Sequence, residues 1–130
     1  AASRVEWVCG DALTWEPAAP DAPFELVATH FFFDLLTPPE QAALIHRTAP
    51  WLAPSGWWLY TDYCQPSQLQ KGSERLRQVL GGLYRFFAVT CTFSARQLHS
   101  PEPLFLENRF EPIARQQFCR NLIESVLLQH

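Results

Sequence analysis

The chain has 130 residues, 48% of them hydrophobic and 14% aromatic, which is material for one domain with a sizeable core. Its net charge of −3 excludes a generally basic nucleic-acid-binding protein. No apolar run approaches the ~20 residues that span a bilayer, and no basic-then-apolar leader opens the chain. Neither nucleic acid nor membrane is therefore an expected partner. The sequence begins Ala1-Ala2-Ser3 and contains no methionine, which implies that its natural start has been lost, processed or replaced.

Residues 5–9 form the first expected strand: Val5, Trp7 and Cys9 alternate with Glu6 and Val8, and Gly10-Asp11-Ala12 follows. A proline-rich connection over residues 15–23 cannot be a regular helix. Residues 24–29 are nearly all apolar, the pattern of a strand covered on both faces. The segment Thr29-His30-Phe31 ends that strand. A helix is expected from Thr37 as cap, with Pro38 and Pro39 in its first turn and Glu40 at its positive end. Leu44, Ile45, Thr48, Trp51 and Leu52 make its apolar stripe, and Pro50 should kink or end it. Ser55-Gly56 turns the chain into a third strand over residues 57–62, which ends at Asp62-Tyr63.

Residues 67–93 carry a second helical stripe of Leu76, Val79, Leu80, Leu83, Tyr84 and Phe87, with Lys71, Arg75, Arg77 and Arg85 largely off it. Gly81-Gly82 interrupts the helix formers, so a bend or the close approach of another backbone is expected there. A short helix over residues 101–108 precedes an antiparallel strand pair, residues 110–118 and 122–129. The four cysteines, Cys9, Cys64, Cys91 and Cys119, lie far apart inside apolar runs. They are expected to be reduced and buried, in a cytoplasmic setting. His30, His46, His99 and His130 have no ligand spacing, and no metal site is expected.

The order of strand, Gly10-Asp11-Ala12, apolar strand with Thr29-His30-Phe31, helix, Ser55-Gly56 and third strand resembles the C-terminal half of class I S-adenosylmethionine-dependent methyltransferases. The resemblance implies an α/β fold: a truncated Rossmann-like sheet, mostly parallel, with a C-terminal antiparallel pair. Residues 1–130 would then be a single partial domain, with residues 67–98 a helical insert over the acceptor site or, equally, a core helix with a solvated cationic face. The family's strand order, 3-2-1-4-5-7-6, would separate residues 5–9 from residues 24–29 by two strands. Its glycine-rich turn has no counterpart here.

The resemblance also assigns candidate site residues. Asp11 and the Ala12 N–H would contact adenine of S-adenosylmethionine, whereas on its own Asp11 reads as a turn cap. Thr29 and His30 would lie beside the methyl donor, since ligands in open α/β sheets sit beyond the carboxyl ends of strands. His30 is a candidate base, or a hydrogen-bonded structural histidine. Asp34, Asp62 and Tyr63 would face the acceptor, Asp34 otherwise capping the helix entrance.

Two functions follow. One is a remnant without methyl-transfer activity that self-assembles as a homodimer, or with a partner chain, through an exposed sheet edge. The other is an active methyltransferase for a small acceptor, completed by an N-terminal half or partner chain.

Overall fold

The computed structural model describes residues 5–18, 23–64, 74–90, 98–119 and 121–130. Its sheet contains β1 (Phe24–His30), β2 (Leu52–Tyr63), β3 (Glu111–Phe118) and β4 (Ile123–Gln129), in the order β1-β2-β4-β3. The β1–β2 pair is parallel, and both pairs made by β4 are antiparallel. This is the mixed sheet expected from the sequence, and it places the strand ends that carry Thr29-His30 and Asp62-Tyr63 side by side. Helices α1 (Pro38–Thr48), α2 (Glu74–Thr90) and α3 (Glu102–Glu107) complete the regular structure.

Helix α1 starts where its cap predicts. The Glu40 carboxylate accepts hydrogen bonds from the Thr37 backbone N–H (2.8 Å) and hydroxyl (2.7 Å), closing the end of a helix whose prolines have no N–H to satisfy. Pro50 ends it: α1 stops at Thr48, and Ala49–Trp51 tighten into a 3-10 turn that delivers Leu52 to β2. Leu44, Ile45, Thr48 and Leu52 are buried as the stripe predicts, with Trp51 half-buried.

Strand β2 is longer than expected. It begins at Leu52, then takes a bulge through Ala53, Pro54, Ser55 and Gly56 before regular pairing resumes at Leu26–Trp57. Ser55 has a φ of 61°, and a Cβ on the buried Gly56 would come 2.9 Å from the Ala53 carbonyl oxygen. Glycine is therefore required at 56, and the predicted turn is realised as a bulge inside the strand.

From Trp57 onward β2 alternates. Trp58, Tyr60 and Asp62 point to the face covered by α1 and α3. On β4 their cross-strand partners Leu128, Val126 and Glu124 are buried on the same face. Phe33, Ile45, Trp58, Phe105, Phe110, Val126 and Leu128 are fully buried and form the centre of the core.

Three expectations need correction. Residues 5–9 are irregular and exposed, not a strand: among the described residues no strand of the sheet pairs with them. Second, among the described residues β1 is covered on one face only. Val27 and Thr29 are half-buried, whereas Leu26, Ala28 and His30 are exposed with Trp57 on the opposite face. Third, Cys9 and Cys119 are exposed free thiols; Cys64 is buried, and Cys91 lies outside the described residues.

Helix α2 covers the middle of the expected helical segment, the rest of which lies outside the described residues. Of its predicted stripe, the Val79 side chain is exposed and Leu83 half-buried, while Leu76, Leu80, Tyr84 and Phe87 are outside the described side chains. The helix runs unbroken through Gly81-Gly82, and a Cβ at either would meet nothing within 4 Å. Among the described residues no close backbone approach explains these glycines. Gly81→Ala is accordingly expected to stabilise α2 by up to about 1 kcal/mol, slowing amide exchange in that helix about fivefold. Slower folding or faster exchange would mean that position 81 packs against something after all.

Candidate functional site

The carboxyl ends of β1 and β2 form the rim of the candidate site. At the end of β1 the chain reverses at Phe31 (φ 51°), whose N–H donates to the Thr61 carbonyl at 2.7 Å. That reversal tucks Phe33 and Asp34 beneath the rim in a 3-10 turn. The Asp62 carboxylate caps this turn: its Oδ2 accepts the Phe33 N–H at 3.2 Å, and the Asp34 N–H also contributes. Gln41, fully buried on α1, holds the turn from behind by donating to the Phe33 carbonyl at 2.8 Å and to the His99 carbonyl at 3.4 Å. The rings of Phe31 and Tyr63 meet above, 5.2 Å apart.

Three of the predicted residues come together here. Asp34 and Asp62 are both about 95% buried and share a hydrogen bond, and Tyr63 lies beside them. Burial, then the adjacent Asp34 carboxyl, push the Asp62 pKa up to about 8, against the smaller opposing effect of the backbone N–H donors. The shift favours the protonated form of Asp62 at neutral pH. The cap of this turn comes from Asp62, on the neighbouring strand.

Other residues join this cluster that the sequence did not single out. Tyr60, Cys64, His99, Ser100 and Glu124 line the same small cavity, which has about 20 Å³ of room, enough for one water-sized group. The Tyr60 hydroxyl is buried there without a hydrogen-bond partner, and burial holds it neutral far above the usual phenol range. The Cys64 thiol is pushed up to about 11 by burial, and next by the Glu124 charge. Glu124 faces Asp62 directly across the ladder and is paired with Arg115 at 2.8 Å. Arg115 also forks onto both Glu102 carboxylate oxygens at 2.7 Å, which holds the guanidinium protonated and ties β3 to α3. A signal for this cluster was present. An acid in the buried phase of Trp58-x-Tyr60-x-Asp62, and another in that of Glu124-x-Val126-x-Leu128, are polar residues where apolar ones belong.

The residues expected to hold the methyl donor are more dispersed. Ala12 and Thr29 line one apolar groove of about 370 Å³, with Trp15, Phe32, Trp51 and Trp58 among its walls. The Thr29 hydroxyl accepts a hydrogen bond from the Trp58 indole at 3.1 Å, which fixes its orientation. Asp11 is exposed, and its carboxylate accepts the Leu13 N–H at 2.9 Å, the turn-capping arrangement. His30 is exposed on the uncovered face of β1, apart from the buried acids. Among the described residues, no group of three metal-ligating side chains is placed to hold a metal ion, and no helix is long and apolar enough to cross a membrane.

No protein-family model and no curated protein matches the chain, but solved structures do. The N-methyltransferase NodS from Bradyrhizobium japonicum WM9, in complex with S-adenosyl-L-homocysteine, superposes with a TM-score of 0.62 and 13% identity, over 98% of this chain and 55% of its own. An S-adenosylmethionine-dependent methyltransferase from Methanosarcina mazei gives 0.61 and 16%, over 92% and 64%. LepI in complex with S-adenosylmethionine gives 0.66 and 12%, over 99% and 31%. The chain thus spans between about a third and two-thirds of the length of these proteins. It has the class I S-adenosylmethionine-dependent methyltransferase fold, over the C-terminal part of that fold.

Proposed function

We propose that this chain is the acceptor-side part of a methyltransferase domain, and that these 130 residues alone transfer no methyl group. The observation that carries the proposal is the strand order β1-β2-β4-β3, which corresponds to the 4-5-7-6 end of the methyltransferase sheet. In that fold, strands 1 to 3 and the glycine-rich turn lie beyond the bare edge of β1, and they hold most of the donor. What this chain offers the donor is the groove between Ala12 and Thr29; what it offers the acceptor is the rim of Asp34, Asp62 and Tyr63. Methyl transfer depends on holding both reactants in line, so half of the site gives little of the rate.

Binding measures this directly. The chain is expected to bind S-adenosylmethionine no tighter than about millimolar, or roughly −4 kcal/mol, by calorimetry. Any weak binding should be lost in Asp11→Ala and should be competed by adenosine. A micromolar constant would refute the half-site reading, and unchanged binding in Asp11→Ala would refute the adenine contact.

The same edge supports the assembly proposal. Its outer side exposes Phe24 and Leu26, with Trp57 exposed alongside on β2 and Trp7 exposed in the N-terminal segment. Unpaired strand edges flanked by apolar side chains recruit further strands. In the absence of donor-binding strands from the same or a partner chain, a symmetric homodimer is expected at micromolar concentration in sedimentation velocity. Leu26→Lys should shift it toward monomer. A monomeric mass across that range would rule out self-assembly.

The alternative, an active enzyme once strands are supplied at the β1 edge, uses the same rim. It is favoured by the acid pair, since a buried carboxyl pair is costly to keep in a fold with no use for it.

A further inference from the structure

The apolar groove that passes Thr29 follows the bare edge of β1. Among the described residues β1 pairs with β2 alone. Leu26 and Ala28 line the groove as well as Val27 and Thr29, and these two pairs point to opposite faces of the sheet. The edge of the strand is therefore its floor, and Trp15 and Trp51 wall one side. An edge of this kind takes up an extended segment through backbone hydrogen bonds, with room for alternate side chains.

One segment of this chain has that alternation and stays outside the groove. Val5, Trp7 and Cys9 alternate with Glu6 and Val8, yet Trp7 is 90% exposed and Val8 54%. An anchored turn follows directly. Thr14 and Trp15 donate their N–H groups to the Asp11 carbonyl at 3.0 and 2.8 Å. The Arg47 guanidinium donates to the Trp15 carbonyl at 2.8 Å, and the Trp15 ring meets Trp51 edge-on at 5.6 Å. Residues 11–15 are thus pinned against the end of α1. Ala12 lines the groove but residues 5–9 do not, so the anchor holds them beside their own groove with Trp7 in solvent. The groove of a second copy sets no such restraint.

We infer that residues 5–9 pair with the β1 edge of a second copy, each chain lending this strand to the other. Trp7 then seats among Trp15, Phe32 and Trp51, with Val5 and Cys9 on the same side. Val8 joins the exposed Leu26 and Trp57 on the opposite face, and Glu6 stays at the rim. A five-residue strand carrying one tryptophan covers roughly 400 Å² on each side of the contact. Two reciprocal contacts bury on the order of 1,600 Å², the size of a stable specific interface. The inference rests on the assembly reading above and names the contact that holds the dimer.

The test uses the whole chain, in sedimentation velocity and in pulsed iodoacetamide labelling read by mass spectrometry. Cys9 and Cys119 are both exposed free thiols, and Cys119 follows β3, the opposite edge of the sheet. Cys9 therefore reports on the contact and Cys119 is the control. Where about nine-tenths of the chains are dimeric, Cys9 labelling should slow about tenfold and Cys119 labelling should not change. Trp7→Ser should weaken dimerisation at least about tenfold. Because Trp7 lies in solvent in the single chain, this variant keeps the fold, which circular dichroism checks. A dimer whose Cys9 labels at full rate, or undiminished dimerisation of Trp7→Ser, overturns the exchange and leaves the assembly reading standing. Equal protection of Cys9 in the monomer overturns it too, since the segment then occupies its own groove. A chain that stays monomeric throughout, with Cys9 reactive, overturns both.

Discussion

Phe105→Ala is expected to cost about 3–5 kcal/mol, enough to leave the chain largely unfolded at room temperature. The reason lies in what one ring holds together. Phe105 is fully buried on a helix of six residues, too short to be stable on its own. Its ring stacks on Tyr60 at 5.5 Å and meets Trp58 at 5.0 Å, Phe33 at 5.4 Å and Phe110 at 5.5 Å, mostly edge to face. Those partners come from β2, the turn after β1 and the segment entering β3, so truncation opens a cavity where three parts of the chain converge. Phe105→Leu, which keeps most of the volume, should cost clearly less. Far- and near-ultraviolet circular dichroism with urea titration would measure both. A Phe105→Ala protein with a wild-type midpoint would mean that α3 is not docked as described.

Much of this fold was legible because its signals are local. Thr37, Pro38, Pro39 and Glu40 write a helix start in four consecutive letters, and Pro50 writes its end. The C-terminal strand β4 alternates between buried and part-buried positions, and Asn121 with φ 65° lies in the turn that joins β3 to it. What failed was everything that depends on a neighbour. Residues 5–9 have a strand's alternation, but a strand exists only when it joins a hydrogen-bonded ladder, and among the described residues they join none. Residues 24–29 have the composition of a strand covered on both faces, yet the described residues cover one.

The same division holds for the site. Asp34, Asp62 and Tyr63 could be expected together because two strand ends meet at one rim. The hydrogen bond between the aspartates could not, because it follows from a distance across the fold rather than from spacing along the chain. Tyr60 and Glu124 were hidden for a related reason. Strand register decides that Glu124 faces Asp62, and register is set by the Gly56 bulge and the Asn121 turn acting at opposite ends of β2 and β4.

The raised pKa of Asp62 gives the last prediction its sign. Asp62 has a folded pKa of about 8 against an ordinary value of 3.8, so between those limits the folded protein binds more protons than the unfolded chain. Stability from this group is fully present below about pH 4 and is lost as pH rises toward 8, at up to about 1 kcal/mol per pH unit. Asp62→Asn removes the titration and keeps the shape. The amide oxygen accepts the Phe33 N–H, and the amide N–H takes over the hydrogen bond to Asp34. The variant is therefore expected to match the wild type near pH 4 and to exceed it by a few kcal/mol near pH 8. The comparison isolates the pair. Cys64 titrates above this window, near 11, and Tyr60 higher still, while every histidine is common to both proteins. Urea midpoints measured across that pH range would decide it. Parallel curves for the two proteins would show that Asp62 is ionised in the fold at neutral pH.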